Sequence, residues 1–260
     1  KTYVTIDNCS VIGCTIQCDG SVGGINGHAG ASDWTYTTIE NCTVKDCNIK
    51  STNTGGWRTG VVLGTANVGE VTINNITASG NTLEQTGKTA PTADVRRLYG
   101  RTELGTTGKL VIDGYTYVAD GLFEDAEGNP VVGTQAALET AISEGNTKVT
   151  LTSGNFTMLD GSNVDLRDKT LTIVGTKTTV IDASKINEND QYVTGATLAF
   201  EGVTINFGTV NNMGFANTKS LSYKNCDING LQFLYGPEVK FENCNLNSNG
   251  AEHCVWTYGC

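Results

Sequence analysis

The sequence predicts an all-β fold built as a β-solenoid of stacked parallel coils, and three observations carry that prediction. The first is a repeated figure: VTIDNCSVIGCTI at residues 4–16, TIENCTVKDCNI at 38–49 and VTINNITASGNTL at 71–83. Aligned on the turn, Cys9, Cys42 and Ile76 correspond, as do Cys14, Cys47 and Asn81, and Ile16, Ile49 and Leu83. The spacing differs by a single position between the two steps and is the same in all three sets. Self-similarity at so regular a period marks a stacked repeat. The second is the alternation of apolar and polar residues within each figure, interrupted by Asn, which reads as half-buried strands broken by a turn. The third is composition: 32 Gly against 3 Pro, with 17% charged residues, suits strands joined by tight turns.

At 260 residues the chain is long enough for a substantial core in one large or two medium domains. Its net charge of −10, with 17 Lys plus Arg, argues against nucleic acid, whose phosphates call for clustered positive charge. The same charge disfavours an anionic membrane surface. No apolar run reaches the length of a membrane span. The chain opens directly in a repeat at Lys1, without initiator Met or secretory segment, as expected of a mature or excised piece of a longer polypeptide.

Nine cysteines are present. Cys9, Cys14, Cys42, Cys47, Cys226 and Cys244 occupy apolar positions of repeats, where a free thiol serves as a small hydrophobe, so they are expected as stacked thiols. Cys18, Cys254 and Cys260 lie outside the pattern and are the better candidates for pairing. There is no CxxC, and His28 and His253 stand in unrelated contexts, so no zinc site is expected.

Residues 1–84 form the long-coil solenoid, with glycine clusters at 20–30 and 55–64 between the strand figures. There GGINGHAG followed by TIENCTV, and GGWRTGVVLG followed by VTINNIT, resemble GLUG-type repeats, with a Gly-Gly-apolar-x-Gly core before a strand and an Asn-Cys turn. The match covers the first third of the chain. Its second copy departs from the pattern in Trp57, at the usual Leu position, and in a longer spacer. Such repeats occur in surface proteins of gut and other anaerobic bacteria, so the resemblance implies an extracellular protein, secreted or held at the cell surface.

Residues 85–133 break the pattern and read as a connector. Asp113-Gly114 between two β-rich runs signals a type I′ hairpin. Arg96, Arg97 and Arg101 either grip an anionic ligand or, as is usual in an acidic protein, pair with local carboxylates. Residues 134–260 open on the one convincing helix, TQAALETAISEG, with Thr134 as N-cap, Gly145 as stop, and Ala137, Leu138, Ala141 and Ile142 on one stripe. A short amphipathic helix leading into strands resembles the N-terminal cap of pectate-lyase-like proteins. That resemblance implies a right-handed parallel β-helix whose first edge the helix covers. Coils then follow at Ile173, Phe200, Tyr223 and Phe241, in steps that shorten along the chain. Stacked Asn residues are expected to form side-chain ladders. The glycosylation triplets at Asn8, Asn41 and Asn75 fall inside the turn figure and read as structural; a fourth stands at Asn155.

Two sets of residues are candidates for function. Trp34, Tyr36, Trp57, Trp256 and Tyr258 sit near turns and suit contact with sugars or partner surfaces, or else they pack over the core. If the chain is an enzyme, LDGSNVDLRDK at 159–169 supplies Asp160, Asp165, Arg167, Asp168 and Lys169, with Asp182 and Lys185 beyond it. These are the residue types that hold a uronate, a calcium ion or a glycosidase carboxylate pair. The cluster shows no repeat partner on the next coil and lacks the terminal Glu of an EF-hand loop, so a solvated turn is the simpler reading. No cofactor is expected, with calcium the one alternative, and no Ser-His-Asp set, P-loop or dinucleotide fingerprint occurs. The reading that results is a bacterial surface solenoid that binds a polysaccharide or host surface ligand without catalysis. The rivals are a polysaccharide lyase or glycoside hydrolase of pectate-lyase-like fold, and a structural spacer. Both ends finish on matching repeat sequence, VKFENCNL and YVTIDNCSV, so either flanking coils were removed or chains associate end to end.

Overall fold

The computed structural model describes residues 1–92, 94–157, 165–176, 178–184, 193–208, 215, 217–230, 232–235 and 238–258, the side chains of 232–235 and 256–258 excepted. The chain is all-β, with long and mostly parallel sheets and few helices. It divides into two compact units, Lys1–Glu127 and Gly128–Cys260. Among the described residues no helix is long and apolar enough to cross a membrane.

In the first unit successive passes of chain lay corresponding strands on one another. Thr2–Asp7, Thr35–Glu40, Glu70–Asn74 and Lys109–Ile112 pair in parallel. So do Ser10–Ile12, Thr43–Lys45 and Thr77–Ser79, and Thr15–Cys18, Asn48–Ser51 and Thr82–Gln85. A further parallel set joins Asn26–Ala29, Leu63–Ala66 and Tyr99–Thr102. The registers set Ile6 beside Ile39 and Ile39 beside Ile73, so the regular spacing of the sequence figures holds in space. The Thr43 N–H donates to the Cys9 carbonyl and the Thr77 N–H to that of Cys42, which stacks Cys9, Cys42 and Ile76 in one column. This parallel stack is compatible with a β-solenoid.

Turn chemistry explains the repeated Asn. Asn8, Asn41, Asn75 and Asp113 end the strands of the first sheet at φ of 55°, 54°, 48° and 47°. A left-handed residue costs most L-amino acids roughly 1–2 kcal/mol, and Asn and Asp tolerate it best. The amides then bond from coil to coil: Asn41 Nδ2 donates to Asp7 Oδ1 at 2.8 Å, and Asn75 Nδ2 to Asn41 Oδ1 at 2.7 Å. The triplets at Asn41 and Asn75 therefore carry a ladder, and Asn8 shares their turn.

Where a Cys follows such a turn its thiol donates back to the carbonyl two residues earlier. The distances are 3.0 Å for Cys42, 3.2 Å for Cys47, and 3.3 Å for Cys226 and Cys244. Cys42, Cys47 and Cys226 are buried, whereas Cys9 and Cys14, expected among the stacked thiols of the core, are exposed on the first coil. A thiol thus fills a small apolar site and satisfies part of a strand-end carbonyl at once. All eight described cysteines are free. Pairing therefore does not extend to Cys18 and Cys254; Cys18 instead donates to the Ser21 carbonyl at 3.5 Å. Cys260 lies outside the described residues.

The glycine clusters serve a close approach of backbones. The registers align Gly27, Gly64 and Gly100, and a Cβ on Gly64 would lie 2.5 Å from both the Gly27 oxygen and the Val22 nitrogen. Residues 85–133 hold the expected hairpin, Lys109–Ile112 against Tyr115–Ala119, with Asp113 and Gly114 both at positive φ. They also hold a second helix, Asp94–Leu98, that the sequence pattern did not announce. The arginines pair locally: Arg96 with Asp120 and Arg101 with Glu103, while Arg97 donates to the Asn81 carbonyl.

The second unit opens on Pro130–Val132 and the helix Gln135–Ser143, with Thr134 capping the Ala137 N–H and Gly145 at φ 86°. Ala137, Leu138, Ala141 and Ile142 are buried. Gln135 acts as a backbone substitute: its Nε2 donates to the Thr157 carbonyl at 3.0 Å and its Oε1 accepts from the Thr157 N–H at 2.9 Å. The helix thereby closes the end of an edge strand whose polar groups would otherwise lack partners. Beyond it Lys148–Leu151, Thr170–Val174, Thr197–Glu201, Ser220–Lys224 and Glu238–Glu242 pair in parallel. A second parallel sheet runs through Gly154–Thr157, Thr179–Asp182, Thr204–Asn206, Asp227–Asn229 and Asn245–Asn247. Ile173, Phe200, Tyr223 and Phe241 stand in register, so the shortening steps are those of successive coils. Their rings stack, with centroids 5.5 Å apart for Phe200–Tyr223 and 5.2 Å for Tyr223–Phe241.

Candidate functional site

The outward residues of the first sheet build one aromatic patch in the Lys1–Glu127 unit. Tyr3 and Tyr36 are in register on neighbouring strands, so their side chains leave the same face one above the other. The rings stack at 5.0 Å and 21°. Lys1 Nζ lies 5.1 Å from the Tyr36 centroid, a cation–π contact. Trp34, one residue ahead of its strand, is 67% exposed and Tyr3 70%. Glu70 and Lys109 continue the Tyr column, and Thr5, Thr38 and Thr72 form the next one. Flat apolar rings beside a row of hydroxyls can hold the C–H face of a sugar while bonding its hydroxyls. Of the sequence candidates, Trp34 and Tyr36 belong here. Tyr3 was missed, although the shared register of YVTID and TYTTIE carries the signal.

Trp57 has a different environment. It is half-buried, with its Nε1 buried, in the loop after Asn48–Ser51. Gln85 clamps that loop, donating to the Gly56 carbonyl at 2.8 Å and accepting from the Arg58 N–H at 2.6 Å. Trp57 thus reads as part of the packing rather than as a free contact surface. Trp256 and Tyr258 belong to the strand Val255–Tyr258, paired in parallel with Gln232–Tyr235 in the Gly128–Cys260 unit, and not to a turn. Their side chains lie outside the described structure.

Of the acidic candidates, Asp165 is held by its neighbour Arg167. Asp165 receives the Arg167 side chain through Nε at 2.9 Å and through a second guanidinium nitrogen, and it accepts the Arg167 N–H at 3.0 Å. These bonds hold its carboxyl at about 2, below the usual 3.8. A group ionised at every physiological pH cannot serve as the general acid of a glycosidase. Asp168 is a turn residue at φ 57°. Its N–H donates to the Thr194 carbonyl, while the Gly195 N–H donates to that of Asn217. Asp168 therefore stands beside Gly195 on the next coil, both at positive φ, with Leu166 and Val193 buried two residues ahead of each. The two share a tolerance of positive φ and no sequence likeness. Asp182 accepts the Ser184 N–H at 2.9 Å. Asp160 and Lys185 lie outside the described residues. Among the described residues no group of three or more His, Cys, Asp or Glu side chains converges on a point that could hold a metal ion.

No family model, no curated protein and no solved structure matches the chain.

Proposed function

We propose that the chain is a right-handed parallel β-helix, secreted or displayed at a bacterial surface, that binds a carbohydrate or other host-surface ligand without catalysis. The observation that carries this reading is the Tyr3–Tyr36 ring stack beside a row of threonines, with Trp34 exposed in the turn just ahead of Tyr36. The in-register parallel strands support a solenoid. A net charge of −10 keeps such a protein soluble and away from nucleic acid. The experiment is a glycan array run beside an unsaturated-uronate absorbance assay. Binding that disappears in a Trp34→Ala, Tyr36→Ala double variant, with no turnover, is the expected outcome. Turnover lost in Asp165→Asn or Asp168→Asn would replace it with the lyase or hydrolase reading. Neither binding nor turnover would leave the spacer.

A further inference from the structure

Two pairs of cysteines in the Lys1–Glu127 unit stand one above the other, each with one thiol exposed and one buried. Asp7 is in register with Glu40 and Ser10 with Thr43, which places Cys9 on Cys42. Ile12 with Lys45 and Thr15 with Asn48 likewise place Cys14 on Cys47. Cys9 and Cys14 are exposed on the first coil, while Cys42 and Cys47 on the second are 1% and 2% exposed. All four are free thiols.

Register alone does not single out these pairs. Neighbouring parallel strands lie ~4.8 Å apart throughout such a stack, within the Cα separations of about 4.4–6.8 Å that a disulfide spans. The direction of the thiols is what distinguishes them. Cys42 Sγ lies 3.8 Å from the Ile6 carbonyl oxygen, and Cys47 Sγ 3.4 Å from that of Val11. Ile6 and Val11 stand three residues ahead of Cys9 and Cys14, so both buried thiols lean toward the coil that bears the exposed ones. Cys226 and Cys244 are stacked by the same rule, since Lys224 pairs with Glu242 and Asp227 with Asn245. There Cys226 Sγ donates to the Phe200 carbonyl at 3.4 Å, on the coil before, and so leans away from Cys244.

We propose that Cys9–Cys42 and Cys14–Cys47 are paired redox sites, which a small disulfide of the glutathione type converts into two bridges that clasp the first coil to the second. In each pair the exposed cysteine, as thiolate, attacks one sulfur of the small disulfide. A mixed disulfide forms, and one small thiol leaves with the proton. The buried cysteine then attacks the exposed cysteine's sulfur, the bridge between coils forms, and the second small thiol leaves with the second proton. Two cysteines are oxidised, one small disulfide is reduced to two thiols, and nothing else is consumed. An accessible sulfur poised beside a resolving thiol is the arrangement of a redox sensor. The coils so joined carry Tyr3 and Tyr36, so bridging also holds that ring stack in register.

Equilibration in buffers running from reduced to oxidised glutathione, followed by alkylation in urea and non-reducing peptide mapping, tests this. At the oxidised end the peptides of Cys9 and Cys42 should be linked, and those of Cys14 and Cys47, while Cys226 and Cys244 remain alkylated. Hydrogen exchange in residues 2–18 should slow about tenfold or more on bridging, because the clasp suppresses local opening of the first coil. Cys9→Ser and Cys14→Ser replace exposed thiols and leave the core untouched. Each should abolish its own bridge and leave the other pair able to close. Four free thiols at the oxidised end, a Cys9–Cys14 bridge, or glutathione retained on Cys9 or Cys14 above a free buried thiol would overturn the proposal. So would a Cys226–Cys244 bridge that forms as readily, since thiol direction would then select nothing. Bridges that form without slowing exchange in residues 2–18 would overturn the clasp.

Discussion

In the Lys1–Glu127 unit the stacked residues Ile6, Ile39 and Ile73 are almost evenly spaced along the chain. In the Gly128–Cys260 unit the step shortens each time, from Ile173 to Phe200 to Tyr223 to Phe241. The first unit packs Cys42, Val44, Cys47 and Ile49 against a wall of glycine backbones in its early coils, and only its later part brings in rings, those of Tyr99 and Phe123. The second lets the coil shorten and fills its interior with rings, Phe200, Phe215 and Tyr223 among them, all 2% exposed or less. Parallel pairing constrains only the strands, so residues can be lost between them without disturbing the register. The glycine wall of the first unit is therefore the place most sensitive to added atoms, and the ring stack of the second the place most sensitive to their removal.

Removal should have the larger effect. Phe200→Ala takes a ring from a stack that includes Phe215, Tyr223 and, beyond it, Phe241. The expected cost is about 3–5 kcal/mol, read as a drop in the urea midpoint. Gly64→Ala in the first unit adds one methyl where backbone atoms already lie at 2.5 Å, an overpacking cost of about 1–3 kcal/mol. Hydrogen exchange resolved by peptide should show protection lost around residues 22–29 and 59–66. If both variants loosened the same peptides, the contrast between the units would fail.

The turn columns sharpen the comparison at smaller magnitude. Asn41→Ala must keep φ near 54° without the amide that bonds to Asp7 and accepts from Asn75, for a cost of roughly 1–2 kcal/mol. Asn41→Gly should cost less, because glycine takes that φ freely. The second unit has made the exchange itself: Gly202 occupies the turn that Asn225 and Asn243 occupy on later coils. Thermal melts that ranked the two Asn41 variants in the reverse order would refute the ladder-and-turn account.

The smallest effect belongs to Asp165. Its folded value, about 2, is depressed from 3.8 chiefly by the Arg167 side chain. A depressed carboxylate stabilises the fold above its unfolded value and loses that contribution as pH falls from about 4 through 2. Because the pair is solvent-exposed, Asp165→Asn should flatten only this acid limb of the stability profile and leave neutral pH nearly unchanged. A marked loss at pH 7 would mean that the pair does more than bridge a turn.

Local chemistry made much of this structure legible. The repeated strand figure, the Asn turns, the Thr134 cap, the Asp113-Gly114 hairpin and the pairing of Arg101 with Glu103 each depend on residues close in sequence or on repetition itself. So did the choice of Trp34 and Tyr36, made on their place near a turn. What stayed hidden was equivalence without likeness. Tyr99–Thr102 joins Leu63–Ala66 across a helix, and Asp168 stands beside Gly195 with only a tolerance of positive φ in common. The loop that carries Trp57 was hidden for another reason: Gln85, which bonds its backbone, comes from later in the chain.

The amino-acid sequence by itself determined the strands, their period and the residues that face inward, since alternation and turn preference act over a few positions. Only the tertiary structure decided which coil lies on which, which side chains share an outer column, and that Tyr3 rests on Tyr36 while the Asn residues of the second unit line one face. Those choices are made by hydrogen bonds between strands far apart in the chain, and a column exists only once both of its neighbours are in place.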